Sequence, residues 1–276
     1  MTSINGINKA QRRWPRRCRT TTPCVGSAVH CGALVSAVLI VLLAATGCTD
    51  LVAGTVRPAP ELKPHPLTGQ TVKHVLSADT DLSTMFGQSF EADQFGPPEF
   101  GGPEILFPGS LLGGEQQCAG VAHMLVQDLY KGSSVQQVAT HGWRNTSPYN
   151  QDPVVIAVDE GVVALPTAPA ADAVFAKFLE QGRHCVGASV TSATGFFTDE
   201  ISDVRAIDSI LVATVWHRHD GMSMFGERAI GVRVNCLIEV SVTFFRNPEP
   251  ETSARHSKRV IDVARLMMDK ISVLSR

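Results

Sequence analysis

Residues 207–245, IDSILVATVWHRHDGMSMFGERAIGVRVNCLIEVSVTFF, decide the fold. Ile207 to His217 predicts one strand and Ala229 to Phe245 a longer one, both rich in residues that suit a pleated surface. His219, Asp220, Gly221 and Met222 between them predict a hairpin connection. Alternation along the longer strand sends Ile230, Val232, Val234 and Cys236 one way and Gly231, Arg233, Asn235 and Leu237 the other. Two more strands precede this pair, Ser134 to Trp143 and the Val-rich Val154 to Leu165. Helices stand around them. Ala173, Val174, Phe178 and Leu179 recur at helical spacing after Pro169 and stop at Gly182, with Asp172 suited to the positive helix start. Glu251 to Leu274 places Val260, Ala264, Met267, Ile271 and Leu274 on one face. Cys118, Val121, Ala122, Leu125 and Leu129 predict a helix that ends at Tyr130, Lys131 and Gly132. Hairpin strands with helices in this order predict an α+β fold, an antiparallel sheet flanked by helices. There is no internal repeat.

Before residue 115 the chain reads differently. A short helix is expected after Ser77, with Leu82, Met85 and Phe86 as its apolar side. Gly96, Pro97, Pro98, Gly101, Gly102, Pro103, Pro108 and Gly109 then punctuate a long surface loop. Upstream, Pro58, Pro60, Pro64 and Pro66 predict an extended tether over residues 48–73, which leaves residues 74–276 as the domain. The first 47 residues have the three parts of a secretory leader. Lys9, Arg12, Arg13, Arg16, Arg17 and Arg19 start it, an apolar core runs from about Ala33 to Ala45, and small residues close it. The ending Leu43-Ala44-Ala45-Thr46-Gly47-Cys48 resembles a bacterial lipobox, although Ala45 stands where Leu is usual. Lipid on the Cys48 thiol would tether everything after it to the outer side of a cell membrane. An uncleaved transmembrane anchor is the alternative, for which the apolar core is short.

Removing the six basic leader residues leaves 18 Lys and Arg against 26 acids, a formal net charge of −8. That balance argues against nucleic acid as a partner, which wants a basic face, and against a polybasic membrane-surface module. Cys18, Cys24 and Cys31 leave with the leader. Outside the cytoplasm, Cys118 and Cys185 are expected to pair, since each lies at a predicted helix end. Cys236, in an apolar strand, is expected to be free and buried. Three free thiols are the alternative.

Cys118-Ala119-Gly120-Val121 with Tyr130 downstream, the strand leading into Pro169-Ala170-Ala171-Asp172-Ala173 with Phe178 and Cys185 after it, and Arg228-Ala229-Ile230-Gly231-Val232-Arg233-Val234-Asn235 carry a family resemblance. From about Thr71 onward the chain resembles mycobacterial lipoproteins with a PknH-like extracellular sensor domain. The resemblance implies an antiparallel sheet with flanking helices and a cleft suited to a ligand. It also implies a second disulfide near the last two strands, but those places fall near Gly226 and Thr243, and neither is cysteine.

No reaction chemistry is legible, and no cofactor is expected. His217 and His219 share a strand side, yet no further ligand at a convincing distance completes a metal site. Asp159-Glu160 and Asp199-Glu200 are expected to be solvated loop acids rather than a catalytic pair. The scarce aromatics Tyr130, Trp143 and Trp216, with Arg233, are the candidate ligand-binding residues for a sugar, lipid head group or small anion. The competing expectation is that the tryptophans pack the sheet and Arg233 pairs with Glu239. The functional expectation is a lipid-anchored, extracytoplasmic sensor or ligand-binding domain of the envelope, not an enzyme. Its partners would be the membrane, through the lipid, and an unknown small molecule or envelope component. The alternatives are a structural or protein-interaction lipoprotein, and last a hydrolase of envelope glycans or lipids.

Overall fold

The computed structural model describes residues 63–147, 155–192, 194–245 and 250–276, with side chains omitted for 250–259. The leader, Cys48 and the tether up to residue 62 lie outside the described residues. Ten strands form one sheet: β1 Phe90–Ala92, β2 Glu99–Gly101, β3 Leu112–Gly114, β4 Gln137–Asn145, β5 Val155–Ala164, β6 Ser189–Ser192, β7 Thr198–Ile207, β8 Ile210–His219, β9 Met222–Arg233 and β10 Cys236–Phe244. Their order is β1-β4-β5-β10-β9-β8-β7-β6-β3, with β2 also on β4. Every pairing between these strands is antiparallel. Four helices accompany it: α1 Asp79–Phe86, α2 Ala119–Ala122, α3 Ala168–His184 and α4 Pro250–Leu274. The fold is the expected α+β arrangement.

The predicted long strand is two strands. Arg233 pairs with Cys236 across a two-residue turn of Val234 and Asn235. Val234 takes φ 54°, a conformation that its branched β-carbon disfavours. Asn235 holds the turn there. Its Oδ1 accepts from the Leu67 amide at 2.7 Å, and its Nδ2 donates to the carbonyls of Leu67 and Leu165 at 3.0 and 2.7 Å. A fully buried amide with all these bonds made is stabilising, and one left unmade would be costly. The turn also reverses the parity expected from the sequence. Ile230 shares a face with Leu237, whereas Cys236 lies with Ile238 in the other cluster.

Both faces of the sheet are covered. On one, α4 lays Val260, Val263, Ala264, Met267 and Ile271 against Val158, Ile238, Val240 and Phe244. Gly231 permits the approach, since a β-carbon there would lie 3.0 Å from Met268 Sδ. On the other, α3 buries Ala171, Val174, Phe175 and Phe178, which recur at helical spacing. Thr167 caps α3 by accepting from the Ala170 amide at 3.3 Å. Gly182 lets α3 close onto Val204 and Leu211. Leu67, Val72 and Val75 are buried in the α4-side core, so packing begins before residue 74, inside the segment expected to be tether.

Two more expectations change. The helix over 118–130 is one α-turn, Ala119–Ala122, followed by a 3-10 turn at Gln127–Tyr130. The break falls at Leu125, with φ 56°, whose amide leaves the helix to donate to Glu239 Oε2 at 3.1 Å. Asp199 and Glu200 are strand residues of β7, and Asp159 and Glu160 are strand residues of β5 with Glu160 fully buried, so neither pair is made of solvated loop acids. Cys118 and Cys185 form a disulfide with Cα atoms 5.5 Å apart, and Cys236 is free and buried, with its thiol pKa pushed up to about 12 by burial.

Candidate functional site

The four candidate ligand residues do not come together. Tyr130 is 3% exposed on the α3 side, and its hydroxyl donates to Glu239 Oε1 at 2.5 Å. Burial first, then the Glu239 charge, raises its pKa well above the ordinary phenol value. Trp216 packs edge-on against Phe225, at 5.3 Å between centroids, beside the α4-side core. Trp143 is buried with the His141 ring 4.0 Å away, and both line a pocket of about 430 Å³ with Lys73, Ser77 and Phe100. Arg233 is exposed, and its Nε donates to Ser272 Oγ at 2.7 Å. It does not pair with Glu239, because the Val234–Asn235 turn puts the two on opposite faces.

Glu239 instead takes Arg228, which is 1% exposed. Arg228 Nη2 donates to Glu239 Oε2 at 2.5 Å, with the same carboxylate receiving Tyr130 and the Leu125 amide. Arg228 Nε and Nη1 are buried without a hydrogen-bond partner among the described residues. A buried guanidinium with open donors is an unusual state, since such groups are normally satisfied.

The register shows what lies alongside. One row crosses β8, β9, β10, β5 and β4 as Ala213, Arg228, Ser241, Asp159 and Gly142. Asp159 is half-buried, and its pKa is raised to about 6, first by burial and then by the neighbouring charge of Asp93. Arg144, then His217 and Arg228, act in the opposite direction. Asp93 is itself held by Arg144 Nη2 at 2.5 Å. Gly142 leaves room for the Asp159 carboxyl, because a β-carbon there would sit 3.0 Å from Oδ1.

Two imidazoles continue this polar surface. Asp199 Oδ1 meets His217 Nδ1 at 2.7 Å, and Oδ2 lies 3.1 Å from His123 Nε2, an ion-pair distance without hydrogen-bond alignment. Burial lowers the His123 pKa, which favours the neutral ring. Among the described residues His217 Nε2 is buried without a partner, next to Gly226, where a β-carbon would stand 2.4 Å away. Gly226 pairs with Thr243 across β9 and β10. The second disulfide that the family resemblance implies falls near these positions, and this corner holds a glycine and a hydroxyl instead. Among the described residues, no three His, Cys, Asp or Glu side chains are arranged to hold a metal ion.

Arg228, Glu239, Asp159 and the His123–Asp199–His217 chain are not legible as a group in the sequence. Asn235 is the signal that would have found them. Read as a turn residue, it folds Arg228 and Glu239 onto adjacent strands with one parity.

The architecture is a disulfide-bridged antiparallel sheet with a helix against each face. The model of the PknH-like extracellular domain matches residues 58–270, and the chain belongs to that family. The crystal structure of the extracellular domain of PknH from Mycobacterium tuberculosis superposes with a TM-score of 0.58 at 17% identity, covering 76% of this chain and 99% of that one. A putative uncharacterized protein from Mycobacterium smegmatis matches with a TM-score of 0.37 at 13% identity, over 74% of this chain and 97% of the other. None of the curated proteins matches the sequence. Among the described residues, no helix is long and apolar enough to cross a membrane.

Proposed function

We propose that this protein is a lipid-anchored, non-enzymatic sensor domain that binds a small anionic molecule at Arg228. The observation that carries the reading is the open pair of buried donors on Arg228, Nε and Nη1. A carboxylate or phosphate oxygen satisfies such donors, and a guanidinium suits both in geometry and charge. Ser241, next to Arg228 in the row, and Asp159, one strand further on, offer polar groups that orient the rest of the ligand. The polar row then serves as the family's ligand cleft. The leader over residues 1–47 is removed, Cys48 carries the lipid, and the proline-rich segment after it is the tether.

The second reading is an envelope interaction protein. It is favoured by one end of the sheet, where Phe196, Phe197 and Met222 are 53%, 39% and 65% exposed at two hairpin tips. Native mass spectrometry of the full protein, purified from its own membrane, tests the first reading. The expected mass is the chain from Cys48 with its acyl groups, plus a small acidic adduct that Ser241→Leu abolishes. An unmodified chain mass contradicts the anchor. Acylated protein without an adduct, captured with a second protein through Phe196 and Phe197, favours the second reading.

A further inference from the structure

The end of the domain where the chain enters from the tether has a chemistry unlike the rest of the acidic body. Lys63, Pro64, Arg233, Val234, Ser272 and Arg276 line a pocket of about 450 Å³ there, together with Ser275 and with no acid among the lining residues. Arg233 is aimed by its Nε bond to Ser272 Oγ, which in turn donates to the Met268 carbonyl at 2.9 Å. Its two terminal nitrogens make no hydrogen bond among the described residues. The wall beside it is Val234, the β-branched residue held at φ 54°. Strain of this kind persists only where surrounding structure fixes it, and it concentrates at binding sites. The neighbouring last turn of α4 leaves Val273 60% and Leu274 37% exposed.

We propose that this end of the domain seats on an anionic phospholipid surface. The pocket around Arg233 takes a headgroup phosphate, and Val273 and Leu274 enter the boundary between headgroups and acyl chains. Three arguments select a membrane as the occupant. Cations beside exposed apolar side chains are the two halves of interfacial binding. The body carries a formal charge of −8 once the leader is gone, so an anionic surface repels it and attracts this end, which orients the domain. The chain also leaves from here, since the His65 amide donates to the Ser275 carbonyl at 2.7 Å. Lys63 follows Cys48 by 15 residues, at most roughly 50 Å of extended chain. This last argument rests on the lipid-anchor reading. Seated this way, the domain turns the hairpin tips with Phe196 and Met222, at the other ends of the long strands, away from the membrane.

Vesicle sedimentation with residues 58–276 tests the contact without the lipid. That segment contains all three buried clusters and therefore carries its own core. Vesicles of phosphatidylcholine with about one-third phosphatidylglycerol are expected to bind it at least ~10-fold more tightly than phosphatidylcholine alone. The combined Lys63→Gln, Arg233→Gln and Arg276→Gln changes should remove that preference. Val273→Asp with Leu274→Asp should also abolish binding, with thermal unfolding unchanged for both variants. Equal binding to neutral vesicles, or undiminished binding by the charge variant, overturns the proposal. Saturable binding of inorganic phosphate without vesicle binding overturns it too, in favour of a soluble anion. Membrane fractionation of Cys48→Ser in cells reports on the anchor alone, so the two failures are separable.

Discussion

On the α4 side of the sheet, Val158, Ile238, Val240 and Phe244 meet the apolar stripe of a long helix, and the buried Glu160 there is held by Ser77 through both its amide and its hydroxyl, at 2.9 and 2.5 Å. On the α3 side, strands β5, β9 and β10 present Arg228, Glu239, Ser241 and Asp159, with two Arg228 donors and His217 Nε2 left without partners among the described residues. One face spends its area on burial, which at roughly 25 cal/mol per Å² is the main source of stability. The other keeps polar groups in place at a cost. Such sites are retained where recognition needs them. The contrast teaches that a strand with both sides covered carries two separate programmes, read at alternate residues.

The contrast breaks most sharply at the buried ion pair. Arg228→Met should cost about 3–5 kcal/mol in urea unfolding, because Glu239 stays behind as an unpaired buried charge. Adding Glu239→Gln, which removes the charge but keeps an acceptor for Tyr130 and the Leu125 amide, should recover most of that loss, and a double variant as unstable as the single would refute the pairing argument. Replacing Cys118 and Cys185 together by Ser should cost about 4 kcal/mol by the loop-closure model, read as a fall in urea midpoint. The sequence separation of 67 residues is what makes the closure worth that much. On the apolar side, Met267→Ala should cost about 2–5 kcal/mol with no effect on any ligand contact, since Met267 is fully buried on the inner face of α4.

The smallest effect has the opposite sign. Burial raises the Asp159 pKa to about 6 from an ordinary value of 3.8, so the native state binds this proton more tightly than the unfolded chain does. Stability from this group is therefore present at low pH and is lost as pH rises from about 4 to 6, then stays level. Asp159→Asn should remove that fall and stabilise the protein at pH 7 by about 1 kcal/mol, after discounting for partial exposure. Unfolding curves at pH 4 and pH 7 check it. A variant less stable than the parent at pH 7 would mean that the carboxylate is supported rather than strained.

Much of the fold was legible because periodicity survives without a turn signal. The strands at β4, β5 and β8, helices α3 and α4, and the α+β class follow from residue spacing alone. The hairpin at Val234–Asn235 was not, because a valine occupies a position that glycine or asparagine normally marks. That single miss inverted the parity of β10 and hid the Arg228–Glu239 pair behind a wrong Arg233–Glu239 pair. Strands β6 and β7 were missed for another reason. Asp199, Glu200, Asp203 and Arg205 make β7 look like a charged loop, yet Asp199 is buried and held between two imidazoles. Of the expected ligand residues, Trp143 borders a pocket, Arg233 lines the tether-end pocket, and Tyr130 and Trp216 serve packing. Scarcity of aromatics is a compositional signal, and it cannot tell a buried hydroxyl on Glu239 from an open binding face.

The most direct test is nitrogen-15 NMR of the arginine Nε–H groups, with the Arg228 resonance assigned by its loss in Arg228→Lys. Acetate, succinate, inorganic phosphate and glycerol 3-phosphate serve as probes, followed by an extract of the cell envelope. The account predicts a saturable shift of the Arg228 Nε–H resonance with at least one of them, absent in Ser241→Leu. A resonance that none of them moves would contradict it.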